Sequence, residues 1–238
     1  MRSKEEIRHD VWSAMERERV ARFPGALGRI PNFVGAKAAA ERLVEHPAWR
    51  RARAIKVNPD AAQTHARRLA LARGKVLVMA VPRLRHEHPF RLLDPRRLGS
   101  QALGAAATIK GALRFGEVID LEQVPELDLV LTGSVAVNLR GARVGKGGGY
   151  SDLEYGLLTE LGKVGRSTII ATTVHPVQIL NEDLLVTDHD IPVDLVVTPE
   201  SVLEVERAYA RPRGVLWDHL QPPQIHEVPV LERMGYAA

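Results

Sequence analysis

The chain has 238 residues, 45% of them hydrophobic and 26% charged, with a formal net charge of +4. That length permits one large α/β domain or two small ones, with a core needing no metal or disulfide staple. The absence of cysteine excludes disulfides, thiolate nucleophiles and zinc–thiolate sites.

The first residues, Met1-Arg2-Ser3-Lys4-Glu5-Glu6, carry Ser3 as a helix cap with Glu6 three positions on, the spacing of a capping box. They predict a charged helix from Lys4 to about Arg22, stopped before Phe23-Pro24-Gly25. Lys4 and Arg8, four apart, share one face of it. No apolar signal core follows, and no window reaches the roughly 18 apolar residues of a membrane helix, so a cytoplasmic protein is expected.

A second helix is expected from about Ala36 to Glu45, and Ala54-Ile55-Lys56-Val57 reads as a short strand ended by Asn58-Pro59-Asp60. Asp60 is placed to cap a third helix, Ala61 to Ala72, closed by Gly74. Lys75 to Val81 is a buried strand broken at Pro82, and Arg83 to Arg91 follows as a basic loop at its carboxyl end. His86 and His88 in that loop have no further ligand at metal-binding spacing and read as solvated. Ala105 to Lys110 is compatible with helix, and Gly116 to Asp120 with extended chain.

Leu127 to Thr132 is the next strand, and after it comes Gly141-Ala142-Arg143-Val144-Gly145-Lys146-Gly147-Gly148-Gly149-Tyr150-Ser151-Asp152. Leu153 to Leu161 then shows apolar residues at helical spacing. Glycines allow backbone N–H groups to approach an anion, a helix N-terminus adds its positive dipole end, and Arg143 and Lys146 add formal charge. The stretch reads as a phosphate-binding turn. It is neither a P-loop, since only three residues separate Gly141 from Gly145, nor the G-x-G-x-x-G of dinucleotide folds.

Ser167 to Val174 is β-branched and strand-like, His175 to Gln178 is expected at its exit on the crevice side, and Asp194 to Pro199 is the last strand. Apolar strands alternating with helices indicate a three-layer α/β fold, a mostly parallel sheet with helices on both faces. The domain is expected at residues 1–205, with 206–238 a proline-containing tail packed on it or on a partner. Aromatic residues are only 5%, without an RNA-binding strand pattern, so nucleic acid is the minority partner beside a small anionic ligand.

Gly141 to Asp152 resembles the motif of the 5-formyltetrahydrofolate cyclo-ligase (methenyltetrahydrofolate synthetase) family, a glycine loop ending in Gly-Tyr-Tyr-Asp-Arg. Lys4-Glu5-Glu6-Ile7-Arg8 resembles that family's N-terminal Lys-x-x-Leu-Arg, and Gln178, His189-Asp190, Asp194 and Thr198 its carboxyl-terminal pattern. Lys56 to Asp60, Pro82 to Arg85 and Asp152-Leu153-Glu154-Tyr155 are similar to the divergent methenyltetrahydrofolate synthetase domain-containing branch.

The resemblance implies a NagB/RpiA/CoA-transferase-like Rossmann-type fold and an ATP- and Mg²⁺-dependent closure of 5-formyltetrahydrofolate to 5,10-methenyltetrahydrofolate, ADP and phosphate. In that chemistry the formyl oxygen attacks the γ-phosphoryl group. It implies Lys4 and Arg8 on the phosphates, and Arg143, Lys146, Gly145, Gly147, Gly148 and Gly149 cradling the triphosphate. It further implies Tyr150 beside the pterin and Asp152 on Mg²⁺. Departures are concentrated elsewhere. Ser151 and Leu153 replace Tyr and Arg, Ala136-Val137-Asn138 replaces Ala-Phe-Asp, and the folate-contacting Glu falls among Asp60 to Gln63, with Asp60 or Gln63 as its substitute. The alternative reading is a non-catalytic nucleotide- or folate-binding regulator, with RNA reached through arginines. Monomer and homodimer are both compatible with the sequence.

Overall fold

A computed structural model describes residues 1–206 and 208–235, without the Gln224 side chain. Eight strands form one sheet: β1 (Ala54–Val57), β2 (Val76–Ala80), β3 (Phe90–Leu93), β4 (Glu117–Ile119), β5 (Leu129–Thr132), β6 (Ile169–Thr173), β7 (Leu195–Val197) and β8 (Val202–Glu204), in the order β8-β7-β6-β5-β1-β2-β3-β4. The five strands β7-β6-β5-β1-β2 are parallel, β8 at one edge and β3 at the other run antiparallel to them, and β4 pairs antiparallel with β3. Phe90–Leu93 falls at the end of the stretch expected to be loop: apolar Phe90, Leu92 and Leu93 pair it to β2.

Successive strand residues point to opposite faces, so β1 sends Ile55 and Val57 to one core and Ala54 to the other. The first core is closed by α1 (Lys4–Arg17), α2 (Ala36–Glu45) and α3 (Thr64–Ala72). The second is closed by α4 (Tyr150–Glu160) together with Val228, Val230 and Leu231 near the end of the chain. This is the three-layer α/β arrangement expected.

The first helix has its capping box: Ser3 Oγ accepts from the Glu6 N–H at 3.2 Å, and the Glu6 carboxylate accepts from the Ser3 N–H at 2.7 Å. It stops at Arg17 rather than Arg22, because Arg19 turns left-handed (φ +56°) and Ala21–Arg22 then pairs with Asn32–Phe33. The third helix likewise begins as a 3₁₀ turn, Ala61–Gln63, and the Asp60 side chain does not cap it. Between Leu103 and Phe115 the helix breaks at Thr108, whose hydroxyl caps a new one by accepting from the Gly111 N–H at 3.0 Å.

The strand order reverses between β1 and β5: the chain runs outward from β1 to β2, then from β5 to β7 on the other side. In open α/β sheets such a switch point opens a crevice beyond the carboxyl ends of the strands.

Candidate active site

Asn58 leaves β1, Val81 leaves β2 and Gly133 leaves β5, and all three line one cleft of about 1370 Å³ at that switch point. Lys4, Arg8, Arg143, Gly145, Lys146, Gly147, Gly148, Gly149, Tyr150 and Asp152 line the same cleft. The residues expected on the phosphates, the metal and the pterin are thus in one place. His175 is not among the cleft residues; it caps the turn Pro176–Gln178, accepting from the Val177 N–H at 3.3 Å. The reason is local: the peptide after β6 folds back, and Gln178 is buried donating to the carbonyls of Ser134 and Val135.

The glycine loop forms the rim. Gly147 (φ +103°) and Gly149 (φ +66°) hold left-handed conformations that a side chain would strain. Gly149 is the N-cap of α4 and supplies no side-chain oxygen, so the first-turn N–H groups are left without a cap. Arg8 donates from Nε to the Gly145 carbonyl at 2.8 Å, and an added Cβ at Gly147 would lie 3.4 Å from its Cζ. Lys146 is exposed.

Two expected phosphate or metal groups are engaged with each other. Arg143 is 4% exposed and donates from Nη1 to the Gly133 carbonyl at 3.0 Å and from Nη2 to Asp152 Oδ1 at 2.5 Å. The same Asp152 oxygen accepts from the Ile191 N–H at 3.1 Å. Lys4 pairs with Asp190. Burial raises the Asp190 carboxyl, but hydrogen bonds from Lys4 and Thr187 outweigh it and hold it below the usual carboxylate range.

Below the rim lies a floor of buried charge. Lys56, 1% exposed, pairs with Glu154, 5% exposed, and donates to Asn58 Oδ1 at 2.5 Å. Asn58 donates on to Ser151 Oγ at 3.0 Å, and Ser151 bonds Thr132 at 2.9 Å. Ser151, where the motif has Tyr, is therefore a hydrogen-bonded link between helix and sheet. Burial pushes the Glu154 carboxyl up, against the pull of Lys56.

Asp60 is raised by burial as well, with Lys146, Arg67 and Lys56 opposing. A Cβ on Gly133 would stand 2.8 Å from its Oδ2, so glycine there makes room for the carboxyl. Arg67, held to about 10 by burial, donates to the Asp60 carbonyl at 3.0 Å. Gln63 has no access to the cleft: it is fully buried and donates to Thr173 Oγ1 at 3.1 Å. Of the two acidic or amide substitutes, Asp60 alone faces the cleft.

Among the described residues no group of three or more His, Cys, Asp or Glu is placed to hold a metal ion. A hard cation here would rest on Asp152 with phosphate oxygens, a donor set that suits Mg²⁺. His88 instead stands 3.0 Å from Asp120. The sequence reading did not pair Lys4 with Asp190 or Lys56 with Glu154. A lysine inside an otherwise apolar four-residue strand was the available signal for the second.

A sequence model of the 5-formyltetrahydrofolate cyclo-ligase family matches residues 1–199. Methenyltetrahydrofolate synthase domain-containing proteins from Mus musculus and Bos taurus are 39% and 37% identical to the chain over 234 and 236 residues. Those matches cover 98% of this chain but only 63% and 62% of the relatives, so the chain spans less than two thirds of their length. The solved Aquifex aeolicus 5,10-methenyltetrahydrofolate synthetase superposes with a TM-score of 0.52 at 20% identity, covering 91% of this chain and 99% of that one, and shows a shared fold. No helix among the described residues is long and apolar enough to cross a membrane. With the ordered motifs and the switch-point cleft, these matches place the chain in the 5-formyltetrahydrofolate cyclo-ligase family.

Proposed function

We propose that the protein is an ATP- and Mg²⁺-dependent cyclo-ligase acting on 5-formyltetrahydrofolate or a close chemical relative. The observation that carries this reading is the convergence of Lys4, Arg8, Lys146 and the uncapped start of α4 on one cleft that also holds Asp152. Cations and aligned N–H groups stabilise the charge on a transferring phosphoryl group without needing a covalent nucleophile.

In this reading Lys146 and the amides of Gly147 to Gly149 bind the triphosphate. Arg8, fixed through the Gly145 carbonyl, supports the loop from below and presents its guanidinium beside Gly147. Arg143 orients Asp152, which with phosphate oxygens would hold Mg²⁺; the ion would supply further charge neutralisation. Tyr150 and Asp60 face the second substrate, Asp60 offering an acceptor to ring N–H groups. Residues 1–205 form the cyclo-ligase-like unit with 206–238 appended, and the protein works in the cytoplasm as a monomer or homodimer.

The test is appearance of methenyl absorbance when purified protein meets 5-formyltetrahydrofolate, ATP and Mg²⁺, and its loss on chelation of Mg²⁺. Nucleotide binding without any methenyl product rejects the substrate. The non-catalytic alternative draws on one observation, the burial of Gln63 away from the cleft. Salt-sensitive RNA binding at near-physiological ionic strength would favour its RNA version.

A further inference from the structure

The sheet ends differently on its two sides. At β8, Val202 and Leu203 pack against the two cores, and Glu204 pairs with His46 at 3.1 Å. At β4 no strand among the described residues pairs with the outer side, and Val118, the central residue, is 54% exposed. An unpaired edge presents a row of N–H and C=O groups that another strand can join.

Apolar side chains gather at this edge. Of the nine large hydrophobic residues that are exposed among the described ones, Ile109, Leu113 and Val118 fall within ten positions. Ile109 and Leu113 are four apart on the helix Ile109–Phe115 and share one face of it. Ile119 points into the second core, so Val118 points to the opposite side of the sheet, where Ala112 of that helix packs into the first core. Leu113 and Val118 therefore stand on the same side of the edge. Exposed apolar residues clustered beside an open strand mark an association surface.

The charges around the strand say what fits there. Glu117, the acid on β4 itself, is taken up by Arg97 at 2.5 Å. Lys110 and Arg114 are exposed before the strand, and Glu122 and Glu126 are exposed after it. None of these four side chains pairs with another charge among the described residues. The edge is therefore cationic at one end, apolar in the middle and acidic at the other. Such a surface is its own complement. Two copies related by a two-fold axis pair antiparallel, which lays the cationic end of each beside the acidic end of the other.

We propose that two copies of the chain join through β4 as an antiparallel, two-fold dimer centred on Val118. The pairing continues the eight-stranded sheet from one copy into the other and covers Leu113 and Val118. It stands independently of the reaction proposed above. Ile109 and Lys110 also line the cleft, so the joined edges lie beside its mouth. The strand has only three residues, which makes the interface one of the small, weak class, and a dissociation constant of about 10 µM is expected.

Analytical ultracentrifugation of the full chain at low salt, from about 1 µM to about 300 µM, tests it. Wild type should pass from monomer to dimer across that range. Val118→Lys sets two charges against each other at the centre of the joint and should weaken the dimer about ten-fold or more. Arg114→Glu should weaken it about five-fold, and adding Glu122→Lys should restore wild-type affinity, because the exchange rebuilds both ends. A monomer throughout leaves the edge to a strand of some other protein and overturns the proposal. So does an assembly larger than a dimer, or a dimer that Val118→Lys leaves unchanged. A double variant no tighter than Arg114→Glu overturns the two-fold pairing and the proposal with it. Should Val118→Lys lose cooperative melting, Leu113→Lys takes its place and is read in the same way.

Discussion

The rim and the floor of the cleft solve opposite electrostatic problems. On the rim, Lys146 and Gly147 to Gly149 are exposed, and the helix start behind them has no side-chain cap. On the floor, Lys56, Glu154 and Arg67 are buried and each has partners inside the fold. A buried charge without a partner is costly, whereas an exposed cation or uncapped amide costs little and remains available to an anion. The contrast teaches that folding satisfies the charges of the floor, while it leaves Lys146 and the uncapped amides of the rim open to solvent.

The contrast breaks first at Lys56. Lys56→Met leaves Glu154 buried without its cation and should cost about 3 kcal/mol or more of unfolding free energy, read from urea denaturation. Adding Glu154→Met should recover part of the loss, because the two residues act as a pair. A loss below about 1 kcal/mol would mean the floor does not depend on internal pairing.

Lys146→Ala should behave in the reverse way. Stability should stay within about 0.5 kcal/mol, while Mg-ATP affinity falls about ten-fold or more, measured by calorimetry. Gly149→Ala places a Cβ at φ +66° and should cost about 1 kcal/mol in stability. Because it keeps the backbone amides, its effect on ATP affinity should be the smaller of the two.

The smallest effect should be a pH dependence at Asp60, where floor and rim meet. Burial holds this carboxyl above its ordinary value of 3.8, against Lys146, Arg67 and Lys56. A raised acid favours the protonated form in the fold. Its stability cost is therefore absent below the unfolded pKa and grows as pH rises through the folded one. Asparagine does not titrate, so Asp60→Asn should gain stability relative to wild type as pH rises above the ordinary carboxyl value of 3.8. A pH-independent difference would place Asp60 outside the buried cluster.

Much of this site was legible in the chain. The capping box at Ser3, the parallel strands and the glycine loop rest on local spacing, and local spacing is what a sequence displays. The convergence of Lys4 and Arg8 on a loop more than 130 positions away was implied by the family resemblance rather than by any local pattern. The end of α1 was misjudged because the pairing of Ala21–Arg22 with Asn32–Phe33 is a tertiary event. Asp60 and Gln63, three positions apart, looked equivalent; a 3₁₀ turn sends one into the cleft and the other into the core.

By itself, then, the sequence determined the fold class and the glycine-rich, cationic character of Gly141 to Asp152, because hydrophobic period, glycine and charge act at short range. Only the tertiary structure decided that Arg143 holds Asp152 and that Lys56 is matched by Glu154. Those pairings join distant parts of the chain. The low-dielectric interior selects them, since a charge removed from water must find its partner wherever the fold brings one.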